Sequence, residues 1–287
     1  MNLQWRVGDV VVTRISELET PTSVKFMFNG VSKEDLLAID WLQPHFVTPK
    51  GYMLFSIHAL LIESMGKKII VDTCLGNDKE RKVEGWGQRS GPFLDEIAQV
   101  GFARETVDTI LCTHLHVDHV GWNTMLVDDK WVPTFPNAEY LFAKREWDYW
   151  NQHEQVEYGP VVEDSVRPII DAGLASFVEV DHKLTDEVWL EPTPGHTPGH
   201  VSVRINSAGK DAVITGDMTH HPCQMARPEW AANADYDQSQ AIATRKAFLA
   251  KYADRPTLVI GTHFAKPTAG NIVTDGDSYC FNVDVAD

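Results

Sequence analysis

Short apolar runs and alternating positions dominate the chain and predict a strand-rich fold. From Val7 to Ile15, Val10 and Val12 fall on one face of an extended segment and Val11 and Thr13 on the other. Leu54–Ile62 and Lys68–Val71 read as two strands joined by Ser64-Met65-Gly66-Lys67, where Gly66 suits a hairpin. Further strands are expected at Thr106–Cys112, Glu139–Ala143, Ser176–Val180, Val188–Glu191, His200–Ile205, Ala212–Thr215 and Thr257–Ile260. Helical spacing is expected over Pro92–Val100, Val161–Asp171 and Gln238–Tyr252; Pro168 weakens the second of these. Two groups of strands with interspersed helices imply an α+β fold of two packed sheets covered by helices.

Three segments lack a clear period. Thr20 to Gly51 includes Phe26, Met27, Phe28, Trp41 and Phe46; Asn77 to Gly91 sets Gly85, Gly87 and Gly91 around Trp86; Trp147 to Tyr158 is aromatic and polar. Irregular segments of this length are commonly functional. Their aromatics either grip an apolar substrate or pack the long N-terminal segment onto the rest.

The chemistry is concentrated in Thr113-His114-Leu115-His116-Val117-Asp118-His119. Three imidazoles and a carboxylate suit a borderline cation such as zinc. If the run is extended, His114, His116 and Asp118 share a face. His119 then points elsewhere unless the chain turns, for which Gly121 offers a place. Potential ligands recur in Thr193-Pro194-Gly195-His196-Thr197-Pro198-Gly199-His200, and at the ends of apolar strands in Gly216-Asp217 and Gly261-Thr262-His263. Strand ends and tight turns aim side chains rigidly.

These blocks, with Ile69-Ile70-Val71-Asp72-Thr73, resemble the metallo-β-lactamase superfamily in kind and order, from about Val10 onward. The resemblance implies a four-layer αβ/βα sandwich with metals in the cleft between sheet edges. It implies His114, His116 and His196 on one metal; Asp118, His119 and His263 on a second; and Asp217 as the bridge. Asp72 would accept from a ligand imidazole, fix the loop or cap a strand end. His200 would sit beneath the site, and His45, His153 and His182 receive no role.

The family's chemistry would be hydrolysis by a metal-bridging hydroxide, assisted by two divalent ions, most simply Zn, with Mn, Fe and Co as alternatives. Asp118 would carry a proton as well as hold metal. Beyond the ligands, Gly216–Pro222, the helix near Gln238–Ala250 and Gly261–Phe264 resemble methyl parathion hydrolase-like enzymes and N-acyl homoserine lactone lactonases. In the lactonases a Tyr follows the bridging Asp; here His220 stands near that place, with His221 beside it, and either is a candidate donor to substrate. The expected activity is hydrolysis of a small ester or lactone. A phosphotriesterase or phosphodiesterase is the alternative, and a diiron redox protein a more distant one.

Composition narrows the partners. The 287 residues are 43% hydrophobic and 23% charged, with a formal net charge of −16. Nucleic-acid binding normally uses clustered Lys and Arg, so a small-molecule substrate is expected and no nucleic acid. No apolar stretch approaches a membrane span. The N-terminus lacks a signal-like apolar region, and Cys74, Cys112, Cys223 and Cys280 form no CxxC pair; a cytoplasmic protein is expected. The candidate ligands draw on residues 114 to 263, so residues 1–287 read as one hydrolase domain, with 20–51 covering the active site and a homodimer kept open.

Overall fold

The structure, a computed structural model, describes residues 2–284; Met1 and Val285–Asp287, the ends of the expected 1–287 domain, lie outside them. The first sheet begins with β1 (Gln4–Val7), β2 (Val10–Thr22), β3 (Met53–Ser64), β4 (Lys67–Val71) and β5 (Thr109–Leu111). A separate hairpin, β6 (Thr124–Val127) and β7 (Lys130–Pro133), follows; β8 (Glu139–Ala143) and β9 (Ala175–Val178) then complete the first sheet. Its order is β1-β2-β3-β4-β5-β8-β9, antiparallel as far as β4 and parallel beyond. The second sheet runs in sequence order: β10 (Val188–Pro192), β11 (Val201–Ser207), β12 (Lys210–Ile214), β13 (Thr257–Ile260), β14 (Ala269–Asp275) and β15 (Ser278–Asn282). Only β12 and β13 pair in parallel.

Strand periodicity sorts the apolar side chains into two cores. Leu60, Ile62, Ile69, Val71, Leu111 and Leu141 of the first sheet meet Val203, Ile205, Ala212, Ile214 and Ile260 of the second. Residues one step away face outward: Leu61, Ile70, Ile110 and Tyr140 group with Phe93 and Ile97 of a helix at Phe93–Gln99, and Val213 and Val259 with Phe248 and Leu249 of one at Gln238–Tyr252. The result is helix on sheet on sheet on helix, the α+β four-layer αβ/βα arrangement.

The helices in chain order are α1 (Val24–Met27), α2 (Lys33–Leu37), α3 (Phe93–Gln99), α4 (Lys144–Trp150), α5 (Val161–Ser165), α6 (Arg167–Asp171), α7 (Cys223–Ala226) and α8 (Gln238–Tyr252). Several differ from expectation. The strand expected over Val7–Ile15 is broken at Gly8, whose φ is +62° and where a Cβ would lie 2.1 Å from the Ser207 carbonyl oxygen. The helix expected over 161–171 is two, because Pro168 has no N–H to give; the Asp164 carbonyl instead accepts from Lys79 Nζ at 3.1 Å and from Thr124 Oγ1. The segment 20–51 is no simple loop. It finishes β2 and forms α1 and α2, the latter opened by a Ser32/Asp35 capping box. No helix among the described residues is long and apolar enough to cross a membrane.

Candidate metal centre

The parallel strands β5, β12 and β13 deliver their following turns to one edge of the sandwich. The run 113–119 leaves β5 and turns at once, closing His119 N–H onto the His116 carbonyl at 3.1 Å. The turn expected at Gly121 therefore comes earlier, and it brings His119 back beside His114, ring centroids 4.0 Å apart. Asp217 follows β12, His263 follows β13, and His196 lies in the connection from β10 to β11.

Three ring nitrogens converge first. His114 Nε2 is 3.1 Å from His116 Nδ1, which is 2.9 Å from His196 Nε2. The far nitrogens of two of these rings are already engaged: His114 Nδ1 with Thr113 Oγ1 at 3.1 Å and His196 Nδ1 with Asp235 Oδ1 at 2.9 Å. A carboxylate can only accept, so His196 carries its proton on Nδ1 and turns a lone pair inward. Burial holds the pKa values of His114 and His116 well below the ordinary histidine range, so both rings are neutral. A proton on His116 Nδ1 could serve only one of its two neighbours, so at least one pair of inward lone pairs is left face to face unless a cation lies between them, and tetrahedral Zn–N bonds would put such nitrogens about 3.3 Å apart.

A second group lies next to the first. Asp118 Oδ1 is 3.6 Å from His119 Nε2, and Asp118 Oδ2 is 3.6 Å from His263 Nε2. Of the outer nitrogens, His263 Nδ1 bonds the Ser56 carbonyl at 2.8 Å, and His119 Nδ1 lies 3.0 Å from Asp72 Oδ2 as an ion-pair contact without hydrogen-bond geometry. Asp217 joins the groups. Its Oδ2 is 3.8 Å from His114 Nε2, 3.6 Å from His196 Nε2, 3.3 Å from His119 Nε2 and 3.1 Å from His263 Nε2. Burial opposes a charge on Asp217, yet His119, His263 and His220 together draw its pKa well below the carboxylate range. Burial likewise opposes charge on His119, but Asp217, Asp72 and Asp118 outweigh it and raise its pKa well above the usual value. The carboxylates thus demand positive charge at this spot, and His119 Nε2 has no hydrogen-bond partner. Donor atoms of His114, His116 and His196, of His114, His119 and Asp217, of Asp118, His119 and His263, and of His196, Asp217 and His220 each lie within 4.8 Å of one another. The residues fit divalent cations.

All seven expected ligands therefore meet in one place. Asp72 does more than cap a strand: besides facing His119 it accepts from Thr113 N–H at 2.8 Å and Thr113 Oγ1. His200 sits beneath, its Nε2 accepting from the Asp217 N–H at 2.8 Å. His220 is buried with Nε2 3.4 Å from Asp217 Oδ2, while His221 turns away, bonding the Phe46 carbonyl at 2.9 Å and accepting from Cys223 N–H at 3.2 Å.

Two acids carried no sequence motif. Glu146 of α4 accepts from Leu115 N–H at 3.2 Å and Gly199 N–H at 2.9 Å, tying the turn after β5 to the one carrying His196. Gly199 is required there, since a Cβ would lie 2.3 Å from the Glu146 amide nitrogen. Asp235, in the loop before α8, bonds His196 Nδ1. One signal was available: Asp237 caps α8 through Gln240 N–H at 3.0 Å, which leaves Asp235 a carboxylate without a capping task.

An apolar cleft of about 330 Å³ is lined by Leu18, Phe26, Phe55, Ile57 and Trp86. Phe55 stacks on His263 with centroids 4.4 Å apart, so the cleft adjoins the donor cluster. Trp86 stacks on Tyr158 and takes the edge of Phe26, both at 6.2 Å. Trp41 and Phe46 do not line it. Trp41 borders a separate hollow with Phe281, and Phe46 is buried against His221 and Phe264.

The fold is thus a four-layer sandwich with buried His and Asp donors, a set able to hold metal, gathered at its sheet ends. The sequence profile of the metallo-beta-lactamase superfamily matches residues 53–263, and the chain belongs to that superfamily. It is 25% identical to an N-acyl homoserine lactonase of Bacillus sp. over 183 residues, a match covering 58% of this chain and 65% of the lactonase, so the likeness spans less than two thirds of that relative. Among solved structures, the dizinc quorum-quenching lactonase AidC in complex with its product superposes with a TM-score of 0.81 at 20% identity, over 100% of this chain and 98% of that one. AbOPH, a hydrolase of the beta-lactamase superfamily, does so with the same score and coverage at 26% identity.

Proposed function

We propose that the protein is a dinuclear metal-dependent hydrolase of a small ester or lactone. The observation that carries this is Asp217, whose Oδ2 lies within 3.8 Å of imidazoles from both donor groups. In this reading His114, His116 and His196 hold one cation, Asp118, His119 and His263 hold the other, and Asp217 bridges. Zinc suits the imidazole and carboxylate donors, and Mn, Fe or Co would fit the same set. When bound, two such ions supply a Lewis acid for the substrate oxygen and make water nucleophilic near neutral pH.

The chain's own residues do the rest. Thr113, Ser56 and Asp235 bond the outer ring nitrogens of His114, His263 and His196, and Asp72 faces that of His119, so these residues orient the four rings toward the centre. Asp118 takes the proton released at the reacting centre and returns it to the leaving group. His220 belongs to the catalytic set through its place against Asp217. The cleft beside Phe55 takes the acyl or aryl part of the substrate. α1 lines its outer side through Phe26, which supports the reading that residues 20–51 cover the site. Donors reach one cluster from both sheets, which supports reading residues 1–287 as one domain. An apolar cleft in a chain of net charge −16 favours an uncharged small molecule over nucleic acid.

The test is a screen of zinc- and cobalt-loaded protein against aryl esters, lactones, thioesters, phosphodiesters and phosphotriesters, with Asp217→Asn as control. Ester or lactone turnover, abolished by chelation, restored by zinc and reduced at least ~100-fold in Asp217→Asn, is expected. Turnover confined to phosphotriesters or phosphodiesters would move the protein to the alternative class. Near-normal turnover by Asp217→Asn at full metal occupancy would remove Asp217 as the bridge.

A further inference from the structure

The loop leading into α8 touches both halves of the proposed site. On its inner side Asp235 is buried, its Oδ1 accepting from His196 Nδ1–H at 2.9 Å and its Oδ2 from Ala232 N–H at 2.8 Å. The backbone reinforces this contact. Tyr236 N–H donates to the His196 carbonyl at 3.0 Å and Asp237 N–H to the Gly195 carbonyl at 2.9 Å. The turn that carries His196 is thus held by one side chain and two amides of the same loop.

On its outer side the loop holds α1. Asn233 N–H donates to the Met27 carbonyl at 2.8 Å, and Asn233 Nδ2 donates to the carbonyls of Phe26 at 3.0 Å and Lys25 at 3.2 Å. Trp230 adds a ring contact to Phe28 at 5.9 Å. These bonds set where α1 ends and therefore where Phe26 meets Trp86 across the cleft. Arg245 of α8 stiffens the loop from behind, donating to the carbonyls of Pro228 at 2.9 Å, Trp230 at 3.2 Å and Met218 at 3.1 Å, with its guanidinium 3.7 Å from Asp235 Oδ2.

We propose that this loop is a brace with two separable functions: Asp235 is a positioning residue for His196, and Asn233 sets the width of the apolar cleft through Phe26. The inference rests on the reading of the His/Asp cluster as a metal centre. Asp235 fixes the His196 tautomer and ring plane, which decides how well Nε2 meets a cation. Asn233 lies on the far side of the loop and touches no donor, so its effect falls on substrates long enough to reach Phe26. A loop that was only structural would change folding and leave both properties alone.

Two measurements separate these cases. The first is zinc affinity of the full chain by competition with a chromophoric chelator, below the unfolding temperature. Asp235→Ala should weaken zinc retention about 10- to 100-fold, the usual effect of losing the partner of a metal-binding histidine. Asp235→Asn, which keeps the volume and an acceptor oxygen and leaves a neutral side chain beside Arg245, should weaken it less. The second is the KM for p-nitrophenyl octanoate against p-nitrophenyl acetate. Asn233→Ala should raise the octanoate KM roughly three- to tenfold, the scale of one or two neutral hydrogen bonds, with kcat, the acetate KM and zinc affinity unchanged. Wild-type zinc affinity in both folded Asp235 variants, or an unchanged octanoate-to-acetate ratio in Asn233→Ala, would overturn the brace. Wild-type protein that held no zinc would overturn the metal-centre reading and the brace with it. Zinc retained without any ester turnover would overturn only the ester reading and the role of Asn233, with the Asp235 variants still deciding the other half.

Discussion

His220 and His221 are neighbours in sequence, both are buried, and burial lowers both pKa values, that of His221 to about 4. Their surroundings give them different tasks. His221 joins the Phe46 carbonyl to the Cys223 amide, pinning the N-terminal segment to the turn after Asp217. Replacing it with Ala leaves the Cys223 N–H without that partner, at about 1–3 kcal/mol, while the Phe46 carbonyl still accepts from Leu54 N–H at 2.8 Å. His221→Ala should therefore lose stability in urea unfolding while the folded fraction keeps its kcat/KM. His220 faces Asp217 Oδ2 at 3.4 Å and His196 at a centroid distance of 4.6 Å. His220→Ala should lower kcat/KM by about 10²–10³ with zinc retained, the scale of one preorganised group beside developing charge. Equal kinetics in the two variants would return His220 to a packing role. The sequence alone left the pair undecided, because adjacency in a turn does not say which ring points inward; that depends on Phe46, 175 residues away along the chain.

At the scale of elements, the strands feeding the donors were legible and the segments lining the cleft were less so. β5, β12 and β13 are short apolar runs that end in a His or Asp block, and period and motif agree there. α4 was not expected, since Lys144–Trp150 has aromatic and charged residues on every face; it is fixed by Glu146 reaching two turns of the site. β14 and β15 were also missed, although Asp275-Gly276 between alternating residues is a hairpin signal. The aromatics of the irregular segments separate by anchoring. The segment carrying Trp86 is held by Lys79, buried with its amine 2.7 Å from Thr124 Oγ1, and by Arg81, bidentate to Asp164 at 2.7 and 2.8 Å. Trp86 then stands over the cleft, whereas Trp41 packs near Phe281. Burying an acyl chain against an indole contributes roughly 1.5–3 kcal/mol. Trp86→Ala should accordingly lower kcat/KM for p-nitrophenyl octanoate about ten- to a hundredfold relative to the acetate. Trp41→Ala should leave that ratio alone. The reverse pattern would place the acyl group in the other hollow.

For the whole molecule, the decisive fact is that neither sheet owns the donor cluster. His114, His116, Asp118 and His119 follow β5 of the first sheet, while His196, Asp217 and His263 belong to connections of the second. The sheets already share an apolar core. At their edge, however, that core gives way to buried rings and carboxylates, among them His119 Nε2 and Asp217 Oδ1 without a hydrogen-bond partner and three imidazole nitrogens that one shared proton cannot satisfy. Buried polar groups in that condition cost stability, and a cation that satisfies several at once returns it. A ligand bound only by the folded state stabilises it by RT ln(1 + [L]/Kd), about 2.7 kcal/mol at a hundred times Kd. Chelation should therefore lower the melting temperature of the entire protein in one cooperative transition, and added zinc should raise it again in proportion to the logarithm of its concentration. Asp217→Asn, which removes the carboxylate shared by both groups, should flatten that dependence. Asp72 lies outside the seven inward donors, facing the outer nitrogen of His119 and accepting from Thr113; Asp72→Asn should reduce the slope less. A melting temperature indifferent to chelator and zinc in the wild-type chain would show that the two sheets close on their apolar core alone.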